Sequence, residues 1–217
     1  MKTAVIISGG KIQSDFALAF LKDTPCDFVI GADCGIVFCR EHQIQLTHIV
    51  GDFDSAGEKE LQWFLQFPEI PVRRFNPVKD FTDTDLALEL ALELGSDCIY
   101  ILGGTGSRLD HVMANIRILS KALKAGVQAF LLDANNRIRL IDRPMDLKKN
   151  EQFGTYVSLF AFGGTVKDLT LEGFYYPLDH YRMETDDPVG VSNELTEETG
   201  KIIFSEGILL VFESKDD

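Results

Sequence analysis

Two short acidic motifs are the residues of this 217-residue sequence best suited to chemistry. The first, Gly51-Asp52-Phe53-Asp54-Ser55, directly follows an apolar stretch, and the second runs from Lys79 to Asp85. Side chains repeat every second residue in an extended chain, so an Asp-x-Asp pair at a strand end directs both carboxylates the same way. Converging carboxylates repel each other unless a cation lies between them, and Mg²⁺ prefers such oxygen ligands. The motifs therefore predict an enzyme that handles phosphate groups with Mg²⁺.

Both motifs also have a simpler explanation in local structure. Aspartate is common in turns and at helix N-caps, where it accepts hydrogen bonds from free backbone N–H groups. Apolar residues recur at helical spacing after the second motif, so Asp80, Thr82 or Asp83 could cap a helix there. Alone, the second motif favours capping, and for the first a turn and a metal site fit equally well. Their combination favours the metal site.

A glycine-rich segment, Gly103-Gly104-Thr105-Gly106-Ser107-Arg108, leads into a predicted helix over residues 112–124. Glycines let a backbone approach phosphate closely, and a helix N-terminus favours negative charge. Arg108 could add a charge-assisted contact to phosphate oxygens. The segment lacks the Lys-Ser/Thr ending of a P-loop and does not complete the G-x-G-x-x-G fingerprint. A plain glycine-rich turn capped by Ser107 stays open as the alternative.

The composition limits the classes of partner. The chain has 21 basic and 34 acidic residues and a net charge of −13, which opposes binding to nucleic acid or an anionic membrane and favours a cationic small molecule. No apolar run approaches the ~20 residues that span a bilayer. The four cysteines form no C-x-x-C pair and no signal peptide is recognisable, so we expect reduced thiols and a cytoplasmic location.

Apolar strand candidates alternate with amphipathic helices in the first part of the chain, at residues 3–8, 28–30, 48–50, 98–102 and 127–132. This alternation predicts an α/β fold, a doubly wound and mostly parallel sheet with helices on both faces. Ligands of such sheets bind beyond the carboxyl ends of the strands. Asp33, the Asp52/Asp54 pair and the glycine-rich segment each follow a strand candidate, so we expect them at one edge of the sheet.

Helical periodicity is lost after Asp142, and short strand-like runs replace it. Gly163-Gly164 and Glu206-Gly207 suggest hairpin turns between these runs. We predict an α/β domain over residues 1–142 and a smaller all-β sandwich domain over residues 143–217. A β domain of about 75 residues buries little core alone, so it should pack on the first domain or on a partner chain.

Four motifs occur in a characteristic order along nearly the whole chain: Gly51-Asp52-Phe53-Asp54-Ser55, Lys79-Asp80-x-Thr82-Asp83, Gly103-Gly104-x-Gly106-x-Arg108-x-Asp110-His111-x-x-x-Asn115 and Val191-Ser192-Asn193-Glu194. Any single motif is weak evidence, but the ordered set is specific. The chain resembles the bacterial thiamine pyrophosphokinase family. The resemblance implies transfer of the pyrophosphoryl group of ATP to the hydroxyethyl oxygen of thiamine, giving thiamine diphosphate and AMP.

The resemblance also implies roles for individual residues. Asp52, Asp54 and Asp83 would hold Mg²⁺ against the triphosphate, and Arg108 would neutralise charge that develops at phosphate. The residues implied near the nucleotide or thiamine are Asp33, Asp80, Gly103, Gly104, Arg108, Asp110, Asn115, Ser192 and Asn193. Members of the family pair as homodimers, with thiamine between the α/β domain of one subunit and the β domain of the other. ATP and thiamine are thus the implied substrates.

One departure from the family pattern concerns the thiamine ring. Some members stack a β-domain Trp on thiamine, whereas the single Trp of this chain, Trp63, lies in the α/β half. The β half offers Phe204, Phe212, Tyr175 and Tyr176 instead, and for each of them the sequence favours a place in the sandwich core over a contact with thiamine.

Two other functions compete with this prediction. A pyrophosphokinase acting on another alcohol, such as a hydroxymethyl pterin, would keep the acidic and glycine-rich motifs and change the acceptor pocket. A nucleotide- or thiamine-binding protein without turnover would lack one or more of Asp52, Asp54, Asp83 and Arg108, and all four are present.

Overall fold

The computed structural model describes residues 1–53, 58–74 and 81–216. The chain forms two compact units, Met1–Ala134 and Asn135–Asp217. The predicted boundary lies eight residues later, after residue 142. The difference arises because the strand Asn136–Ile141 pairs with the strand Leu209–Ser214 near the end of the chain, which makes it part of the second unit.

The first unit alternates strands and helices in the described ranges. Its strands are β1 (Thr3–Ile7), β2 (Phe28–Ala32), β3 (His48–Gly51), β4 (Val72–Arg74), β5 (Cys98–Leu102) and β6 (Gln128–Leu132). Its helices are α1 (Ser14–Asp23), α2 (Gly35–Glu41), α3 (Glu58–Phe64), α4 (Asp83–Glu93) and α5 (Leu109–Lys124). The strands follow the order β6-β5-β1-β2-β3-β4, and every pair is parallel.

Helices cover both faces of this sheet. All five residues of β1 are buried, as a central parallel strand requires. Right-handed crossovers would place α1, α2 and α3 on one face and α4 and α5 on the other, because the chain reverses direction along the sheet after β4. The contacts of α2 with α3 and of α4 with α5 agree with this arrangement. The predicted fold class of this unit is therefore confirmed.

The neighbouring strands β1 and β5 mark the topological switch point of the sheet. From β1 the chain proceeds to β2 on one side, and from β5 it proceeds to β6 on the other. The loops that follow these two strands consequently diverge, and a crevice forms beyond their carboxyl ends, where parallel α/β sheets bind ligands.

The second unit is built from antiparallel strands. They are β7 (Asn136–Ile141), β8 (Met145–Lys148), β9 (Tyr156–Ala161), β10 (Val166–Glu172), β11 (Leu178–Met183), β12 (Asn193–Glu194), β13 (Thr199–Ile203) and β14 (Leu209–Ser214), with a 3₁₀ turn at Lys149–Glu151. One sheet has the order β12-β9-β14-β7 and the other β11-β10-β13-β8.

The two sheets of the second unit enclose one apolar core. Alternate residues of β9 and β14, among them Leu159 and Val211, pack in the same buried cluster as Leu169 and Ile202 of the other sheet. This is the predicted β-sandwich. The predicted hairpins at Gly163-Gly164 and Glu206-Gly207 are wrong, because β9 and β10, like β13 and β14, belong to different sheets. These turns carry the chain across the sandwich, a distinction that turn residues alone do not encode.

A buried ion cluster lies within the first of these sheets. Glu213 on β14 is fully buried, and its carboxylate accepts hydrogen bonds from Arg137 Nη2 at 2.6 Å and Arg139 Nη2 at 3.3 Å. The backbone N–H of Phe153 donates a further hydrogen bond at 3.1 Å. A buried charge is tolerated only when its hydrogen-bonding capacity is filled, as it is here.

Among the described residues, no helix is both long and apolar enough to span a bilayer.

We expect Glu213→Gln to destabilise the protein strongly, since two arginines would lose their buried counter-charge. Loss of one partner of a buried pair costs about 3 kcal/mol or more of unfolding free energy. Urea unfolding measures this cost. The matched control is Glu206→Gln, which removes an exposed carboxylate paired with Lys167 and should change the unfolding free energy by about 1 kcal/mol or less. Equal effects of the two variants would contradict the prediction.

Candidate active site

A cavity of about 420 Å³ lies in the first unit, at the switch point of the sheet. It is lined by residues at the ends of β1, β2 and β5 and in the loops that follow them, and by residues at the starts of α4 and α5: Ser8, Gly9, Gly10, Lys11, Ala32, Asp33, Cys34, Thr82, Asp83, Thr84, Gly103, Gly104, Thr105, Gly106, Ser107, Arg108, His111, Val112 and Asn115. The cavity thus brings the glycine-rich segment, two of the candidate aspartates and the expected sheet edge into one place.

The glycine-rich segment is held directly against the loop that follows β1. Gly10 N–H donates to the Gly103 carbonyl at 2.9 Å, and Ser8 N–H donates to the Leu102 carbonyl at 2.8 Å. Gly103 has φ +71°, and a Cβ there would lie 2.3 Å from the Ser8 carbonyl oxygen. No other residue fits this position. Glycine is required here to bring two strand-end loops together, in addition to any approach to phosphate.

Asn115 fixes the same segment from inside helix α5. Its side chain is buried, and Nδ2 donates to the Gly104 carbonyl at 2.7 Å. Asn115 therefore orders the glycine-rich segment through this bond. Removing it would leave a buried carbonyl unsatisfied.

Three carboxylates converge beside this cavity. Asp33 follows β2, Asp52 follows β3 and Asp83 begins α4, and one oxygen from each lies within 4.8 Å of the others. The backbone N–H of Asp33 donates to the Val50 carbonyl at 2.9 Å, which anchors it beside β3. Gly51 makes this approach possible, since a Cβ there would lie 3.2 Å from the Cα of Asp33.

Burial and the neighbouring carboxylates change the pKa of Asp83. Removal from water and the negative charges of Asp33 and Asp52 together raise the pKa of Asp83 to about 6. A shared site of this kind favours either a bound proton or a bound cation.

The donor set suits a hard divalent cation such as Mg²⁺. It consists of carboxylate oxygens alone, and in the described part of the chain Asp33 Oδ1 is buried without a hydrogen-bond partner. A buried, unsatisfied carboxylate oxygen is costly unless a cation or water contacts it. Asp33 and Asp83 also line the cavity beside the glycine-rich segment. The residues present therefore fit Mg²⁺, whose remaining coordination positions could be occupied by water and phosphate oxygens.

Among the described residues, the cluster contains Asp52 and Asp83 of the predicted set Asp52, Asp54 and Asp83, together with Asp33. Asp54 lies outside the described residues, as does Asp80, so the structure does not test either prediction. Asp33, implied by the resemblance as a more distant neighbour, instead lies in the cluster itself. Its position follows from the pairing of β2 with β3, which brings the ends of these strands side by side.

Arg108 and Asp110 form an exposed pair at the start of α5. Arg108 donates to both carboxylate oxygens, with Nη2–Oδ2 at 2.6 Å and Nε–Oδ1 at 3.3 Å. The hydrogen bond from Arg108 lowers the pKa of Asp110. Arg108 lines the cavity with its side chain 70% exposed, so its guanidinium can also meet an anion from solvent.

Two cationic candidates were not assigned from the sequence. Lys11 and His111 line the same cavity and are among its few groups able to carry positive charge. Lys11 could have been identified from its place directly after Ser8-Gly9-Gly10, at the end of a predicted strand. His111 could have been identified from its place after Asp110 in the family-like motif. Side-chain direction, which decides whether such neighbours face a cavity, is not encoded in that spacing.

Ser192 and Asn193 lie in the second unit. Asn193 is buried, and its amide binds the backbone of Tyr176 on both sides, with Oδ1 accepting from Tyr176 N–H at 2.9 Å and Nδ2 donating to the Tyr176 carbonyl at 2.8 Å. Ser192 is exposed, has φ +54° and donates its N–H to Ser158 Oγ at 3.0 Å. The amide of Asn193 thus braces a loop, while the Ser192 side chain is exposed.

The braced loop presents two aromatic rings. Tyr175 and Tyr176 are 65% and 61% exposed and contact each other edge to face, with ring centroids 4.8 Å apart. Tyr176 and Asn193 also line a pocket of about 290 Å³ in this unit. Phe204 is buried in the sandwich core, and Phe212 packs edge to face against Phe160. Of the four aromatic candidates, the two tyrosines are the most exposed.

Comparison with known proteins agrees with the motifs on both units. Residues 23–131 match the family described as the catalytic domain of thiamin pyrophosphokinase, and residues 144–209 match its vitamin B1 binding domain. The chain is 35% identical to the thiamine pyrophosphokinase of Bacillus subtilis (strain 168) over the full length of both chains. The chain belongs to the thiamin pyrophosphokinase family. The predicted resemblance is confirmed.

Solved structures of the thiamin pyrophosphokinase family share the whole fold. The crystal structure of the Bacillus subtilis thiamine pyrophosphokinase has a TM-score of 0.88 at 34% identity and covers all of both chains. That of the Geobacillus thermodenitrificans thiamin pyrophosphokinase has a TM-score of 0.83 at 29% identity, covering all of this chain and 99% of the other. This full-length likeness supports the predicted enzyme activity and does not favour a different acceptor alcohol or a binding protein without turnover.

The carboxylate cluster predicts how the metal-free protein responds to pH. In the unfolded chain Asp83 has an ordinary pKa near 4, whereas in the folded chain it is about 6. The folded state therefore holds this proton more tightly. The stabilisation that this tighter proton binding gives to the folded state is complete below about pH 4 and is lost as the pH rises through about 6.

Asp33→Asn should consequently raise the melting temperature of the chelator-treated protein at pH 8, by about 2–4 °C. Asparagine tolerates the left-handed backbone of Asp33, at φ +43°, and removes one repelling charge. The gain should shrink towards pH 5, where protonation of Asp83 relieves the repulsion in the unsubstituted protein. Glu69→Gln, which neutralises an exposed carboxylate, serves as control. A lower melting temperature for Asp33→Asn at pH 8 would show that repulsion between carboxylates is not the main effect of Asp33 on the stability of the metal-free protein.

Proposed function

We propose that this protein transfers the pyrophosphoryl group of ATP to the hydroxyethyl oxygen of thiamine, giving thiamine diphosphate and AMP in a Mg²⁺-dependent reaction. Membership of the thiamin pyrophosphokinase family along both units carries the proposal. The cavity at the switch point supports the proposal, because its glycine-rich segment and adjoining carboxylates suit a nucleoside triphosphate with its cation. The cytoplasmic location predicted from the sequence is part of the same proposal.

The carboxylate cluster would hold the cation. Asp33, Asp52 and Asp83 would be its ligands, and Asp54 stays a further candidate on sequence grounds. When bound, Mg²⁺ would offset the negative charge of the triphosphate and of the departing AMP. Phosphoryl-type transfer depends mainly on positioning and charge neutralisation, so no covalent intermediate with the protein is required.

The other side chains of the cavity would act on the phosphates and the acceptor. Gly103 and Gly104 would let phosphate approach the backbone, with Asn115 holding that backbone in place. Arg108 would exchange its contact with Asp110 for a phosphate oxygen. Asp83 would accept the proton of the attacking hydroxyl while also contacting the cation.

Thiamine recognition would fall to the second unit and to a partner copy. The family pattern implies a homodimer in which thiamine lies at the subunit interface. The exposed pair Tyr175 and Tyr176 offers aromatic faces to a cationic thiazolium ring, and Ser192 offers an exposed hydroxyl. The net charge of −13 favours approach of this cationic substrate.

The first test is release of AMP from ATP, Mg²⁺ and thiamine, with the product identified by mass. Asp52→Asn should lower kcat/KM by about 10²–10³-fold, because it weakens charge stabilisation at the phosphates. Asp23→Asn, the same change at an exposed position at the end of α1, should leave kcat/KM unaltered.

Two results would contradict the proposal. Thiamine monophosphate together with ADP would mean attack at the terminal phosphorus and a different reaction. Turnover of a hydroxymethyl pterin in place of thiamine would keep the phosphate chemistry and change the acceptor.

Tyr176→Ala should raise the KM for thiamine about fivefold to tenfold with little change in kcat, since it removes an aromatic face from the cationic ring. Asn193 holds the backbone rather than the ring of Tyr176, so the loop should keep its conformation. Tyr176→Phe keeps the ring and should retain the KM. An unaltered KM in Tyr176→Ala would remove Tyr176 from the thiamine site.

A further inference from the structure

The first turn of α4 is attached to three different parts of the first unit by three consecutive side chains. Asp83 points into the carboxylate cluster, Thr84 contacts the end of β1, and Asp85 contacts helix α5. Successive helical residues point about 100° apart, so one turn can face three neighbours at once. This arrangement makes the position of Asp83 depend on the contacts of the two residues that follow it.

The contact of Thr84 is a buried hydroxyl pair. Ser8 Oγ and Thr84 Oγ1 lie 2.6 Å apart, and both residues are less than 10% exposed. Ser8 follows β1 and lies beside the glycine-rich segment, since its N–H donates to the Leu102 carbonyl. A buried hydrogen bond of this kind has no water to replace it, so its loss would free the start of α4 to move.

The contact of Asp85 is an ion pair with helix α5. Lys121 Nζ lies 2.6 Å from Asp85 Oδ1 and 2.6 Å from Glu89 Oε1, and it also lies 5.0 Å from the centroid of the Phe81 ring. Asp85 is only 6% exposed, and a carboxylate this buried needs a counter-charge such as Lys121 close by. Lys121 therefore contacts Phe81, which directly precedes the N-cap residue of α4, and also the first and second turns of that helix.

A restraint at this point has a physical purpose. Asp83 is repelled by Asp33 and Asp52, and without a cation this repulsion pushes the start of α4 away from β2 and β3. The hydroxyl pair and the ion pair oppose that displacement. Neither Thr84 nor Lys121 belongs to the carboxylate cluster itself.

We propose that Ser8, Thr84 and Lys121 are positioning residues that hold Asp83 in the carboxylate cluster before a cation binds. They preorganise the metal site by fixing the helix that carries one of its ligands. The inference rests on the Mg²⁺-dependent function proposed above and adds to it the residues that keep the empty site assembled.

Binding of Mn²⁺ alone to the full-length protein, followed by electron paramagnetic resonance, tests the proposal without substrates. Lys121→Met and Thr84→Val should each weaken Mn²⁺ binding about tenfold. Thr84→Ser and Lys121→Arg keep the hydroxyl and the charge, and should bind within about threefold of the wild type. In turnover assays, the Mg²⁺ concentration for half-maximal rate should rise in the two disruptive variants while the KM for thiamine stays the same.

The direction of the effect separates positioning from simple charge. Removing a lysine makes the protein more negative, so electrostatics alone predicts tighter binding of a cation. Lys124→Met makes the same charge change at an exposed position of α5 and serves as the matched control. Weaker binding in Lys121→Met, with equal or tighter binding in Lys124→Met, supports positioning. Wild-type affinity in folded Lys121→Met and Thr84→Val would overturn the proposal.

Circular dichroism establishes whether each variant is folded. If the uncompensated charge of Asp85 prevents the Lys121→Met variant from folding, the double variant Lys121→Met with Asp85→Asn removes both charges. This double variant should still bind Mn²⁺ weakly. Wild-type affinity in the folded double variant would overturn the role of Lys121. The Mn²⁺ comparison does not involve an acceptor, so failure of thiamine turnover would reject the proposed reaction without deciding the positioning proposal.

Discussion

The convergence of three carboxylates beside the switch point is the constraint on which the site of this protein depends. Asp33, Asp52 and Asp83 come from the ends of two strands and the start of a helix, and each alone would be an ordinary turn or capping residue. In the cluster, burial and the neighbouring negative charges raise the pKa of Asp83, and a buried oxygen of Asp33 has no hydrogen-bond partner among the described residues. Such an arrangement persists only because the surrounding fold opposes it and because a cation can relieve it.

The fold opposes this repulsion through backbone contacts on one side and side-chain contacts on the other. Asp33 is held by its backbone to the end of β3, where Gly51 leaves the necessary space. The start of α4 is held by Thr84 and by the ion pair of Asp85 with Lys121. Helix α5 thus serves two functions, because its Asn115 also fixes the glycine-rich segment that lines the cavity. A site for a charged ligand is in this way supported by residues that need not touch the ligand.

The second unit is a small sandwich that presents polar and aromatic groups on its surface. Its core is shared by two sheets, and a fully buried Glu213 is compensated by two arginines within it. The loop of Tyr175 and Tyr176 is ordered by the buried amide of Asn193, which leaves the aromatic rings exposed. Here the residue recognised in the motif is structural, and the groups available to a ligand are the ones that it positions.

The sequence by itself determined the class of fold, the alternation of strands and helices in the first part of the chain, the family and most of the motifs of the site, because hydrophobic periodicity and spacing are local properties of a chain. Asp52, Asp83, Gly103 and Arg108 were found in this way. Only the tertiary structure brought Asp33 into the cluster and placed Lys11 and His111 in the lining of the cavity. It also replaced two expected hairpins by turns between sheets. These features depend on which strands become neighbours and where side chains point, and both are decided by packing between residues far apart in the chain.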